Sequence, residues 1–76
     1  MKLDLAILNL LDAMPRPVPD TVIAAQLPLF YAGRFDTERV REALARLQAT
    51  GDVHAQSRRL FGLLYTITPS GKAALG

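Results

Sequence analysis

Apolar residues recur at helical spacing over residues 2–14, where Leu3, Ile7, Leu10, Leu11 and Met14 fall on one face with Ala6 beside them. Leu5 and Leu8 lie on the other side, among Lys2, Asn9 and Asp12. They read either as scattered surface leucines or as a second apolar stripe that packs on another subunit. "PRPVP" (15–19) ends this helix, because its prolines lack the N–H and crowd the preceding turn. Asp20 is an N-cap candidate for a short second helix, "TVIAAQL" (21–27), with Ile23, Ala24 and Leu27 inward and Pro28 as its stop. "PLFYAGRF" (28–35) has no clear period; Leu29, Phe30 and Phe35 are expected to fold back over the core. The clearest helix is "TERVREALARLQAT" (37–50), capped by Asp36 and ended by Gly51. Val40, Leu44 and Leu47 form its seam, Ala43 borders it, and Arg39, Glu42, Arg46 and Ala49 line the opposite face.

The period then changes from 3.6 to 2. In "DVHAQS" (52–57) Val53 and Ala55 point one way and His54 and Gln56 the other; in "LLYTIT" (63–68) Leu63, Tyr65 and Ile67 take the inner face. Gly62 offers the positive φ that a four- or five-residue hairpin loop needs. Thr68 caps a final turn with Pro69 at its first position. The order predicts one α+β domain over residues 1–76, a three-helix bundle followed by a two-stranded antiparallel hairpin. Arg58 and Arg59 fall at or near the hairpin tip.

Composition narrows the function. A chain of 76 residues buries only about 60% of the surface its unfolded form exposes, which leaves little room for an enclosed catalytic pocket beside a core. Without cysteine, disulfides, thiolate metal sites and cysteine nucleophiles are excluded. The apolar N-terminal stretch is interrupted by Asp4, Asn9 and Asp12 and is too short to span a bilayer, so a folded helix and a cytoplasmic protein are expected. Residues 1–33 carry Lys2 and Arg16 against Asp4, Asp12 and Asp20, whereas residues 53–76 carry Arg58, Arg59 and Lys72 with no acid. The C-terminal part is therefore the basic end, which suits an anionic partner. His54 stands without convergent ligands, Ser57 and Ser70 lack histidine–acid partners, and Asp4 and Asp12 are both solvated. No enzyme activity, cofactor, metal or small-molecule ligand is expected.

Two stretches resemble the winged helix-turn-helix domain of bacterial transcription regulators. "DTERVREALARLQATGDV" (36–53) is similar to the third helix of such domains and the start of their wing. "YTITPSGKAAL" (65–75) resembles their Tyr-x-Leu-Thr-x-x-Gly-x-x-x-Leu ending, with Ile67 in the Leu position. The resemblance runs from about residue 3 to residue 75. It implies sequence-specific binding of double-stranded DNA, with the third helix in the major groove and the hairpin wing on phosphates or the minor groove. Carried over by position, the groove-facing residues are Thr37, Arg39, Glu42, Ala43 and Arg46, and the wing contacts are Arg58 and Arg59 with Gln56 beside them. The chain departs from the pattern in "LPLFYAGRF" (27–35), longer than the usual turn between the second and third helices.

The exposed charges of the third helix leave two readings open. Arg39, Glu42 and Arg46 either face DNA or neutralise one another at (i, i+3) and (i, i+4) spacing. A small module contacts too little DNA for tight binding, so a homodimer is expected, with Leu5, Leu8, Phe30 and Tyr31 as its candidate interface. The alternative is a winged-helix protein–protein module docking a larger partner through the Leu29–Phe35 loop or the first helix.

Overall fold

A computed structural model describes residues 3–30, 36–60 and 62–75, the side chains of 29 and 30 excepted. The first apolar stripe becomes α1 (Leu3–Ala13), which buries Ala6, Ile7, Leu8, Leu10 and Leu11. Leu8 is only 2% exposed, so it belongs to the core and not to the outer face on which the helical pattern placed it. The reason is position: α1 lies against both other long helices, the sheet and the C-terminal helix, and a helix covered on several sides buries more than one stripe. Leu5, at 39% exposure, does lie outside.

The prolines end α1 as expected but then contribute β1 (Val18–Pro19), a strand absent from the sequence reading. Pro19 is tolerated because this is an edge strand, where one missing donor costs no central ladder bond. The second helix, α2 (Asp20–Phe30), runs through Pro28 and does not stop there. Pro28 falls in its last turn, so the ring crowds only the Ala24 carbonyl, while Ile23 and Leu27 are fully buried and anchor the helix. Asp20 is itself the first helical residue, and its carboxylate accepts from Arg41 Nε at 2.6 Å.

The third helix, α3 (Thr37–Ala49), matches its expected caps. Asp36 Oδ1 accepts the Arg39 N–H at 2.8 Å. At the other end Gly51 adopts φ +84°, its N–H donates to Gln48 O, and the Asp52 N–H donates to Leu47 O at 2.9 Å. That pair of bonds is a Schellman stop, and it turns the chain directly into the sheet.

The hairpin consists of β2 (Val53–Arg58) and β3 (Gly62–Ile67), antiparallel, with Val53 opposite Ile67 and Arg58 opposite Gly62. The loop is therefore three residues, 59–61, tighter than expected, and Gly62 takes φ +72° where such loops need a left-handed residue. On its other edge β3 pairs with β1, Val18 opposite Tyr65, giving the sheet order β1-β3-β2. Tyr65 is buried, but Leu63 is 49% exposed despite sharing its face, because that end of the ribbon extends past the helices.

The chain ends in α4 (Pro69–Ala74), where Thr68 Oγ1 accepts the Gly71 N–H at 3.1 Å and donates to Gly51 O at 2.6 Å. The Thr68 N–H also donates to Asp52 O, so α4 is stitched to the turn between α3 and β2. Gly71 sits over the Asp52 carbonyl, where no side chain fits.

Candidate nucleic-acid interface

With Val40, Ala43, Leu44 and Leu47 turned into the core, α3 presents Glu38, Glu42, Ala45 and Ala49 outward. Its arginines lie on the flanks. At 100° per residue, Arg41 is about 140–160° around the helix from Arg39 and Arg46. Every one of the three is engaged: Arg46 with Asp4 of α1 at 2.8 Å, Arg39 with its own N-cap Asp36 at 4.0 Å, and Arg41 with Asp20 at 2.6 Å and Glu38 at 3.3 Å. The mutual neutralisation of Arg39, Glu42 and Arg46 is thus replaced by pairs with other acids. Among the described residues Glu42 forms no ion pair, although its charge helps hold the proton on Arg46.

The pKa directions agree with this geometry. Arg41 is raised first by its hydrogen bond to Asp20 and then by that carboxylate's charge. Arg46 is raised first by its hydrogen bond to Asp4. These are exposed pairs, sensitive to salt and free to exchange partners. The N-terminus of α3, where backbone N–H groups suit an anion, already holds the Asp36 carboxylate.

The wing differs. Arg58 and Arg59 are exposed and form no ion pair among the described residues, while Gln56, half-buried, faces Leu64 across the ladder. The tip end of β3 borders an open cleft lined by Asp20, Arg41, Gly62, Leu63 and Tyr65. Burial raises the Tyr65 phenol above its usual range, the Asp20 charge adds to the rise, and Arg41 opposes it. The cleft puts one arginine of α3 beside the tip end of β3.

That arginine is Arg41, which the sequence reading passed over. The helical pattern separates it from Arg39 and Arg46, but only the fold reveals which flank of α3 the hairpin follows. Of the expected groove residues, Ala43 is fully buried beneath α3 and has no surface to offer, a correction that follows from its place on the packed seam. Thr37 is half-buried, and Arg39 and Arg46 occupy the flank away from Arg41. Of the expected dimer residues, Leu5 is exposed and Leu8 is core. Tyr31 and the side chain of Phe30 lie outside the described residues.

Among the described residues there is no group of three or more His, Cys, Asp or Glu placed to hold a metal ion, and no helix long and apolar enough to cross a membrane.

No family model matches the sequence, and no curated protein matches it. Solved structures do. A MarR family transcription regulator superposes with a TM-score of 0.78 at 20% identity, over 95% of this chain and 44% of that one. A PadR family transcription regulator from hypervirulent Clostridium difficile R20291 gives 0.75 at 19% identity, over 95% of this chain and 77% of that one. Bacillus subtilis PadR, solved in complex with operator DNA, gives 0.73 at 26% identity, over 96% of this chain and 44% of that one. The chain has the winged-helix fold of these regulators, and it spans less than half the length of the first and third.

Proposed function

We propose that this chain is a double-stranded-DNA-binding domain of a transcription regulator, with α3 facing the major groove and the wing on phosphates or the minor groove. The observation that carries the reading is the pair Arg58 and Arg59, exposed at the ribbon tip with no acid partner among the described residues. Two such guanidinium groups on a protruding hairpin suit a polyanion, and arginine suits a narrow, electronegative groove. The fold it shares with a PadR solved in complex with operator DNA supports a duplex-DNA partner. Arg41, beside Gly62 and Leu63 in the cleft at the tip end of β3, is added as a candidate contact, and Thr37, Glu42, Arg39 and Arg46 remain candidate contacts of the helix. A homodimer, doubling the contacts, is part of the proposal.

The test is binding to duplex DNA across a salt series. With four to six arginine–phosphate contacts per dimer, log affinity should fall against log salt with a slope of roughly −4 to −5. Absence of binding at low salt removes the reading.

One observation favours a second reading. The outward side of α3 carries Glu38 and Glu42 with Asp36 at its start, and its arginines are all paired, an arrangement that suits a basic protein surface better than phosphate. A protein-docking module would show no duplex binding and would lose its partner when Glu38 and Glu42 are changed to Gln.

A further inference from the structure

Three large hydrophobic side chains are exposed among the described residues, and two of them are on the wing: Leu60 at 88% and Leu63 at 49%. Leu63 borders the cleft beside Arg41, whereas Leu60 stands at the apex, in the three-residue loop closed by the pairing of Arg58 with Gly62. It is the most exposed of the three, and Arg58 and Arg59, which form no ion pair among the described residues, immediately precede it. A tip meant only for phosphates has no use for an isobutyl group, which desolvates the phosphate without bonding to it.

The dimensions decide where such a tip fits. Two paired strands lie about 5 Å apart before side chains are added, and the minor groove is about 6 Å wide, so the ribbon body stays outside and only apex side chains enter. Inside, the walls are sugar C–H groups and base edges, apolar enough to receive leucine, with phosphates along both rims for arginine. Apolar side chains inserted there pry apart base steps, most easily at flexible pyrimidine–purine steps.

We propose that Leu60 is a minor-groove wedge: it enters at a deformable thymine–adenine step and partly unstacks it while Arg58 and Arg59 hold the flanking backbone, making the domain selective for deformable DNA. This rests on the DNA-binding reading above. The two groups pull toward different sequences. Arginine favours the narrow groove of stiff adenine tracts, and the wedge favours steps that open.

The test uses two duplexes of about 20 base pairs and equal composition, one with a central adenine tract and one with central thymine–adenine steps that carry 2-aminopurine. The wild-type chain should bind the second about fivefold more tightly and brighten its 2-aminopurine. Leu60→Ala, a change at a solvent-facing side chain, should keep the native circular dichroism, lose the brightening and bind the two duplexes within about twofold of each other or prefer the adenine tract. Leu60→Met should retain the wild-type preference, and Arg58→Ala with Arg59→Ala should weaken both duplexes, the adenine tract at least as strongly. Wild-type binding with the same preference and brightening in Leu60→Ala overturns the wedge while leaving DNA binding intact. Failure of the wild type to bind either duplex at low salt overturns the DNA reading itself, and the wedge with it.

Discussion

A Cβ added to Gly71 would lie 2.7 Å from Ile67 Cγ1 and closer still to the carbonyl oxygen of Asp52. Because backbone cannot swing aside as a side chain can, Gly71→Ala must push α4 off the α3–β2 turn, and a urea titration should find it about 1–3 kcal/mol less stable. Tyr65 yields a prediction in pH. Its folded-state pKa lies above the unfolded value of 10.0, chiefly through burial, so the folded chain holds that proton more tightly. The contribution is complete below the unfolded pKa and is lost as pH rises through the folded one. Stability measured from pH 9 to 12 should therefore decline above about pH 10, less steeply in Tyr65→Phe. Single residues also mark where sequence reading succeeds and fails. The Asp36 and Thr68 caps and the Gly51 stop were legible because each acts on backbone within three or four residues. The burial of Leu8 and the pairing of Arg41 with Asp20, 21 residues away, were not, because they depend on which elements the fold brings alongside.

The elements divide in the same way. Periodicity located α1, α3 and the hairpin, where each segment carries its own repeating signal. β1 carries none: two residues long and half proline, it exists only because β3 offers Tyr65 and Leu64 as partners. The end of α2 was misplaced because proline disfavours helix continuation locally, whereas buried Ile23 and Leu27 fix the helix from outside. Within the proposed interface, the ribbon and α3 should play separable parts. Arg58→Ala with Arg59→Ala should weaken binding to all duplexes and flatten the salt slope by about 2 per chain, as expected for phosphate contacts. Arg41→Ala or Arg39→Ala should instead relax preference at one or two base pairs, each costing about 1–3 kcal/mol against the preferred site in a competition assay. Equal behaviour of ribbon and helix variants would contradict that division. Arg46 is the informative control: since it is bonded to Asp4, its loss should also lower the melting temperature, and Asp4→Asn should reproduce the thermal effect without altering base preference.

At the scale of the molecule, the longest dimension is 33 Å, close to one turn of duplex at about 34 Å. One copy therefore covers one half-site at most, and a two-fold symmetric operator should saturate at two chains per duplex in a stoichiometric titration. A plateau at one chain would argue against the proposed dimer. Leu5 is the apolar position of α1 left open for such pairing, and Leu5→Lys should lower the cooperativity of the second binding event without unfolding the monomer. The hydrogen bonds that tie Thr68 to Gly51 and to Asp52, with Gly71 pressed against the same turn, bear on this scale too. They clamp the root of the ribbon to the end of α3, so the projecting arm behaves as a stiff outrigger and not a swinging flap. Its bearing relative to the helix is settled as the chain folds, and a target of matching curvature meets a surface that has no orientational freedom left to surrender.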